Sequence, residues 1–181
     1  MRQKSHSCEL LQLHQTLQNP LKMQFFTSVF ILAFAAQALG ALTQYQFFAQ
    51  SDNDEVDGHG LYFYNEVGVI NYYFISNDTD ASSVSIVTYD NETQEFHRQV
   101  SPQAKYFVTN TNSIFQLSGQ GEPLKAPISA SGEVYFGSGV KLYAAKNYGD
   151  PKGYSDFNYG VLTRDVENSF AITIIARKYE S

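Results

Sequence analysis

Short runs of apolar or alternating apolar and polar residues recur from residue 43 to the end of the chain, separated by Gly, Asn, Asp, Ser or Pro. Aromatic and β-branched residues dominate these runs, and helical spacing of apolar residues is scarce. This pattern predicts β-strands. The predicted strands are residues 43–50, 60–64, 69–76, 83–89, 95–100, 106–109, 113–117, 134–136, 140–145 and 170–178. Ten short strands at this spacing indicate a single all-β domain, an antiparallel β-sandwich or a closed β-barrel.

The last run, residues 170–178, divides into two faces when it is read as a strand. Successive side chains in a strand point to opposite faces. One predicted face is uniformly apolar and consists of Phe170, Ile172, Ile174 and Ala176. The other face consists of Ala171, Thr173, Ile175 and Arg177. We therefore predict that the apolar face packs in the core and that this strand is one of the central strands.

Turn-forming pairs mark several connections between the predicted strands. Asp57-Gly58 and Ser131-Gly132 place a glycine where a positive φ is tolerated, and Asp90-Asn91 is typical of a tight hairpin. Two longer stretches, residues 118–130 and 147–160, contain proline or glycine without strand periodicity. Long loops in small domains often carry function.

The segment 23–40 has the anatomy of a secretory signal peptide: Lys22 precedes it, an apolar stretch follows at residues 25–36, and small residues end it. Its apolar stretch is shorter than the ~20 residues of a membrane-spanning helix. We predict cleavage before Ala41, which leaves residues 41–181 as a secreted β-domain without a transmembrane segment. Residues 1–22 are then an upstream extension, explained most simply by a start codon at Met23, with a genuine N-terminal tail that weakens export as the alternative.

The composition of the predicted secreted part excludes several classes. Three of the 12 Lys and Arg residues and one of the 18 Asp and Glu residues precede position 41, so the remainder carries 9 − 17 = −8 charges. Such an acidic chain is not expected to bind nucleic acid, whose phosphates require a positive surface. Its one cysteine, Cys8, lies upstream, so core packing rather than disulfides has to stabilise the domain.

Two sequons agree with export. Asn77-Asp78-Thr79 and Asn91-Glu92-Thr93 both fit the N-glycosylation pattern and lie in turn-like sequence. We therefore predict glycans on Asn77 and Asn91, with unmodified asparagines in polar turns as the alternative.

Candidate catalytic and metal-binding chemistry is sparse, and we predict no catalytic residues, no metal and no cofactor. His59 is expected in a turn and His97 on a strand facing solvent, so neither belongs to a zinc or nucleophile motif. Four acids before Gly58 form the best cation candidate, but their spacing differs from that of an EF-hand, and a solvated loop is the preferred interpretation. These acids are Asp52, Asp54, Glu55 and Asp57.

One segment resembles a known family. The residues Glu66-x-Gly68-x-Ile70-Asn71-Tyr72 resemble the EGAGINY stretch of small fungal cell-wall proteins, the yeast-form, hypha-repressed type that is usually GPI-anchored. A second stretch, Asp150-Pro151-x-Gly153-Tyr154-Ser155, is similar to a turn segment of the same family. The resemblance implies a secreted, glycosylated, wall-associated protein without a known reaction. Because residues 174–181 do not resemble a GPI signal, we expect free secretion or non-covalent retention in the wall.

Three functions fit these observations. The first is a structural or coating protein of the cell wall, with wall polysaccharide or wall proteins as partners. The second is a secreted binding module for an apolar ligand, peptide or glycan, held in the barrel mouth or on an aromatic patch. The third is an extracellular hydrolase, which needs two acids, or a His with a Ser, in one cleft. The tyrosines expected to converge in a binding module are Tyr62, Tyr64, Tyr72, Tyr148, Tyr154 and Tyr159.

Overall fold

The computed structural model describes residues 42–77, 79–137 and 139–180, which belong to the unit Ala41–Ser181. The predicted extension, signal peptide and cleavage point lie outside these residues. The described strands are β1 Leu42–Gln50, β2 Leu61–Val67, β3 Ile70–Ile75, β4 Ile86–Asp90, β5 Glu95–Ser101, β6 Ala104–Thr111, β7 Ile114–Ser118, β8 Glu133–Val134, β9 Leu142–Ala145, β10 Gly160–Leu162 and β11 Phe170–Lys178. Two 3₁₀ turns cover Ala81–Ser83 and Tyr154–Asp156. No helix in these ranges has the length and apolarity to cross a bilayer.

Nine of these strands form a closed antiparallel β-barrel. Their order is β1, β4, β5, β6, β7, β3, β10, β9 and β11, and β11 pairs again with β1. Six residue pairs join β1 to β11, from Tyr45 opposite Lys178 to Gln50 opposite Thr173. The strands β2 and β8 lie beside this ring and pair with β3 and β11. The all-β prediction is confirmed, and the barrel alternative is the one the chain adopts.

Three strands meet at one corner of the barrel. β3 pairs with β7 at its beginning, where Tyr72 lies opposite Gln116, and with β10 near its end, where Phe74 lies opposite Gly160. β7 and β10 also pair with each other, through Ile114 and Leu162. The short strand β10 therefore fills the space that opens between β3 and β7, and β9 continues the ring from there.

Aromatic side chains fill the barrel interior. The ring of Tyr73 lies 5.0 Å from that of Phe115 and 6.0 Å from that of Phe47, measured between centroids. Phe47 also meets Phe96 edge to face at 4.7 Å. All four side chains are almost fully buried. Tilted and edge-to-face contacts of this kind add to the stabilisation from burial, so the aromatic residues supply the core that the absence of disulfides requires.

Most local predictions are confirmed. In β11, Ile172, Ile174 and Ala176 are buried and Arg177 is exposed, as the alternation predicted. The Asp90 hairpin is tight: its Oδ1 accepts the backbone N–H groups of Glu92 and Thr93 at 2.9 and 3.2 Å.

Two predictions about local structure are wrong, and strand β2 extends beyond its predicted end at residue 64, to Val67. Strand β10, Gly160–Leu162, is not among the predicted strands: its first residue lies in the predicted loop 147–160, and no strand is predicted directly after it. His97 is buried, 4% exposed, rather than facing solvent, and its ring lies 5.9 Å from that of Phe107. Burial lowers the pKa of His97, which fits a neutral buried histidine.

Candidate functional site

The hairpin of β2 and β3 has two very different faces. The face turned to the barrel carries Leu61, Tyr73 and Ile75, which belong to the core. On the other face, Tyr62 lies opposite Phe74 and Tyr64 opposite Tyr72, as the antiparallel register requires. Glu66 lies at a shift in the strand register between Asn65 and Val67. The backbone N–H of Lys152, whose ammonium group lies over the Tyr64 ring, donates to its carboxyl and places it on this face. We call the second face the outer face of the hairpin. It concentrates tyrosines around one carboxyl group.

The loop between β9 and β10, residues 146–159, contacts the outer face, and we call it the covering loop. Its Tyr154 ring lies 3.9 Å from the ring of Tyr64 and 6.0 Å from that of Phe74, between centroids. Its Tyr148 packs against Gly160 so closely that a Cβ on Gly160 would lie 2.3 Å from the tyrosine hydroxyl oxygen. The covering loop thus adds two further tyrosines to the outer face.

Asp150 organises the covering loop. Its Oδ2 accepts the backbone N–H of Tyr154 at 2.7 Å, and its Oδ1 accepts that of Ser155 at 2.8 Å. The chain passes through Gly153 with φ of +68°, a conformation that favours glycine, and then enters the 3₁₀ turn. Burial alone would raise the pKa of Asp150, but hydrogen bonds from Ser155 and Tyr154 outweigh burial and lower the pKa.

Glu66 and Asp150 form a buried carboxyl pair. They are 3% and 7% exposed, and the Asp150 carboxyl is the neighbouring acid that acts on Glu66. The Oε2 of Glu66 accepts the backbone N–H of Lys152 at 3.1 Å. Its Oε1 is buried and has no donor among the described residues. Burial raises the pKa of Glu66, and the neighbouring charge of Asp150 raises it further.

The tyrosines around this pair remain neutral. Burial raises the pKa of Tyr148 well above its ordinary range, and the charges of Asp150 and Glu66 add to the rise. The same causes raise the pKa of Tyr72, and burial raises that of Tyr62. A hydrogen bond with Tyr64 raises the pKa of Tyr154 to about 12. The cluster therefore presents hydroxyl groups and rings rather than phenolate charges.

Part of the cluster reaches the surface. Tyr64 is 37% exposed, and Tyr154 is partly exposed beside it. The ammonium group of Lys152 lies 5.3 Å from the centroid of the Tyr64 ring and donates a hydrogen bond to the carbonyl of Asn65 at 2.6 Å. We call Tyr64, Tyr154 and Lys152 the aromatic platform. Phe157, which is 78% exposed, ends the 3₁₀ turn that contains Tyr154.

Tyr159, which the sequence grouped with these tyrosines, has different partners. Its hydroxyl donates to Oε2 of Glu55 at 2.6 Å, and this bond raises the pKa of Tyr159 to about 12. The ring contacts Phe170 edge to face at 5.2 Å and the ammonium group of Lys146 at 4.3 Å. The structure therefore brings Tyr62, Tyr64, Tyr72, Tyr148 and Tyr154 together and gives Tyr159 a separate structural contact.

The remaining candidates have local roles. Asn77 and Asn91 are both exposed. His59 lies in a turn, where its Nδ1 is 2.9 Å from the carbonyl oxygen of Ser76. In the acidic loop, Asp57 accepts the backbone N–H of Ser51 at 3.0 Å and Glu55 accepts the hydroxyl of Tyr159. In the part of the chain that the structure describes, no group of three His, Cys, Asp or Glu residues is placed to hold a metal ion.

The family-like stretch at residues 66–72 now has a physical account. Gly68 forms the hairpin turn with φ of +55°, Ile70 begins β3, and the side-chain amide of Asn71 donates to the carbonyl of Leu117 at 3.1 Å. Glu66 and Tyr72 face the covering loop. Sequence reasoning missed the pairing of Glu66 with Asp150, because 84 positions separate them. The available signal was that each acid lies in one of the two family-like stretches.

The fold and the site define a closed antiparallel β-barrel domain with a tyrosine-rich outer face. Comparison with known proteins gives the family. The chain is 34% identical over 158 residues to Cell wall protein PGA30 of Candida albicans, which covers 86% of this chain and 55% of that protein. It is 30% identical over 151 residues to Cell wall protein RHD3 of the same organism, covering 81% and 71%. Cell wall protein PGA31 of that organism is 29% identical over 158 residues, covering 86% and 53%.

The chain therefore belongs to this family of fungal cell-wall proteins, and it is a secreted, wall-associated protein. It spans about half the length of PGA30 and of PGA31. No protein-family model and no solved structure matches it.

Proposed function

We propose that this protein is a glycosylated, non-catalytic coat protein of the cell wall and that its aromatic platform binds wall polysaccharide. The observation that carries the proposal is the pair of partly exposed rings of Tyr64 and Tyr154, 3.9 Å apart, on a member of a wall-protein family. This role combines two of the functions considered above: the structural coat of the wall and the module that binds a glycan. It gives the protein a means of non-covalent retention.

The physical reason lies in the mixed character of the platform. A tyrosine ring offers an apolar face to the C–H face of a sugar, while its hydroxyl exchanges hydrogen bonds with sugar hydroxyls. Lys152 adds donors beside the Tyr64 ring. The close contact between the two rings restrains both side chains before any ligand arrives. Pre-organised side chains lose less conformational entropy on binding.

The geometry gives less support to the other two functions. Carboxyl pairs that hydrolyse glycosides stand about 5 Å apart or more, so that a sugar or a water fits between them. Glu66 and Asp150 are almost fully buried, and both already accept backbone N–H groups of the covering loop, which leaves no access for a substrate. An apolar ligand inside the barrel would compete with the aromatic side chains that already fill it.

Glycosylation at Asn77 and Asn91 is part of the proposal. Both asparagines are exposed, Asn77 two residues beyond β3 and Asn91 in the β4–β5 hairpin. The chain should be expressed from Met23 in a secreting yeast, and its intact mass should be compared before and after glycosidase treatment. Two glycans that disappear together in an Asn77→Gln, Asn91→Gln variant are expected. An unchanged mass after glycosidase treatment contradicts this part of the proposal.

Polysaccharide binding is tested by co-sedimentation of the secreted protein with insoluble β-glucan and with chitin. Wild type should sediment with at least one of them, and a Tyr64→Ala, Tyr154→Ala variant should bind at least tenfold more weakly, a change of about 1.4 kcal/mol. Tyr135→Ala is the matched control, because Tyr135 is 50% exposed and lies near β8, outside the cluster.

The same experiment can contradict the proposal in two ways. Equal sedimentation of wild type and the double variant shows that the platform is not the binding surface. If wild type sediments with neither polysaccharide but is retained on a wall-protein fraction, its partner is a protein and not a polysaccharide. Circular dichroism of each variant establishes that the barrel is intact.

A further inference from the structure

We propose that Glu66 and Asp150 share one proton, and that this proton fastens the covering loop to the outer face of the hairpin and thereby positions Tyr154 against Tyr64. The shared proton is an inference from the fold alone. Its consequence for binding rests on the function proposed above.

The number of hydrogen-bond donors at each carboxyl oxygen indicates which carboxyl group holds the proton. Each oxygen of Asp150 accepts one backbone N–H, from Tyr154 and from Ser155, as an ionised carboxylate does. Glu66 accepts one N–H, from Lys152, through Oε2. Its Oε1 has no donor within the described residues, although it is buried. A proton on Glu66 turns this carboxyl into a donor to Asp150, which removes the cost of an unsatisfied buried atom.

Repulsion between the two carboxylates also favours one proton shared by the pair. Two buried carboxylates in contact repel each other, so one of them holds a proton. Asp150 has two N–H donors and Glu66 has one, so the proton is assigned to Glu66. The ammonium group of Lys152 opposes this assignment, but burial and the Asp150 charge outweigh it.

The groups that face the pair come from three elements. The pKa values of Tyr62, Tyr72, Tyr148 and Tyr154 are all raised, so these tyrosines stay neutral where carboxyls titrate. Besides Asp150, the charged side chain that acts on Glu66 among the described residues is that of Lys152. The titratable neighbours are Tyr62 and Tyr64 on β2, Tyr72 on β3, and Tyr148, Lys152 and Tyr154 on the covering loop.

The sign of the pH dependence follows. The pKa of Glu66 is raised above its ordinary 4.5, so its contribution to loop docking is complete below that value and is lost as pH rises through the raised pKa. The pKa of Asp150 is lowered below its ordinary 3.8, so its contribution is complete above that value and is lost as pH falls through the lowered pKa. The covering loop is therefore held best in mild acid and more weakly at neutral and alkaline pH.

Proteolysis in the covering loop measures this dependence. The Lys152–Gly153 bond lies in the loop, and Lys152 is exposed. Cleavage after Lys152 by a lysine-specific protease should increase from about pH 5 to about pH 8, by up to about tenfold for each unit by which the pKa of Glu66 exceeds its ordinary value. Cleavage after Lys141, which is also exposed, is the internal control for the pH response of the protease and for global unfolding.

Glu66→Gln is the decisive variant. Its amide donates to Asp150 and accepts from Lys152, as the protonated carboxyl does, but it cannot ionise. Cleavage after Lys152 should therefore be slow and independent of pH in Glu66→Gln, and fast at every pH in Glu66→Ala. A Glu66→Gln protein with the pH profile of wild type overturns the shared proton, and so does a wild-type profile without pH dependence.

A carbon-13 titration of the carboxyl groups provides a second measurement that does not depend on loop opening. One glutamate that titrates above 4.5, and whose signal is absent in Glu66→Gln, is expected. A Glu66 signal at or below that value contradicts the inference. If the cleavage and titration results agree with expectation but wild type sediments with neither polysaccharide, the shared proton stands and the proposed function fails.

Discussion

Replacement of Gly160 by alanine tests the packing of the covering loop most directly. Gly160 is the first residue of β10 and pairs with Phe74 on one side and with Ala145 on the other. A Cβ at this position would lie 2.3 Å from both Cε1 and the hydroxyl oxygen of Tyr148. Backbone pairing on both sides leaves Gly160 little room to shift, so the tyrosine ring has to move.

The expected cost follows from this overlap. Overpacking of a well-filled site costs about 1–3 kcal/mol. For a domain of this size, that loss corresponds to a melting temperature about 3 to 9 °C lower. The Tyr148 hydroxyl is buried near Glu66 and Asp150, so displacement of the ring also disturbs the carboxyl pair. Cleavage after Lys152 should then increase even in mild acid.

A double-mutant cycle isolates the contact. Urea unfolding gives the free energy of unfolding for wild type, Gly160→Ala, Tyr148→Ala and the double variant. In the Tyr148→Ala background the obstructing ring is gone, so Gly160→Ala should cost at least about 1 kcal/mol less than in wild type, a coupling typical of residues in contact. An equal cost in both backgrounds would show that the destabilisation comes from the β10 backbone, and it would refute the packing of Tyr148 on Gly160.

Three further substitutions test the core and the pair. Tyr73→Phe should leave the free energy of unfolding unchanged or raise it by up to about 2 kcal/mol, because the buried hydroxyl has no partner among the described residues; a loss of stability in urea would reveal a hidden hydrogen bond. Phe115→Ala should cost about 3–5 kcal/mol as a buried cavity forms, and a cost under 1 kcal/mol would contradict the filled interior. Asp150→Asn should cost about 1–3 kcal/mol, since an amide cannot accept both N–H groups, and thermal melts equal to wild type would exclude that role.

Local patterns in the sequence predicted most of the barrel wall. Strand β11 shows why: every second residue from Phe170 to Ala176 is apolar, and Ile172, Ile174 and Ala176 of that face are buried in the fold. The choice between barrel and sandwich depends instead on the pairing of β1 with β11, at opposite ends of the domain. No local pattern encodes that contact, so the sequence left both architectures open.

The errors in local prediction have physical causes. Strand β10 has three residues, too few for a period of two to appear, and its pairing depends on the gap between β3 and β7. Strand β2 is longer than predicted because Asn65 and Glu66 interrupt its apolar run. His97 is buried because its strand turns that face toward Phe107 rather than toward water. A hydrophobic pattern predicts that polar residues are exposed, and this prediction fails where a polar residue has partners inside the fold.

Glu66 is the most informative of these exceptions. A buried carboxyl is costly unless it is hydrogen-bonded or neutral, so its burial depends on what the covering loop places against it. The loop in turn depends on Asp150, whose two accepted N–H groups shape the 3₁₀ turn that carries Tyr154. The two carboxyls are therefore not interchangeable: the chemistry at position 66 requires a group that can donate, and the chemistry at position 150 requires one that only accepts. Since the platform exists only when both requirements are met, the two family-like stretches form one structural unit, although neither contains a recognisable catalytic or metal-binding motif.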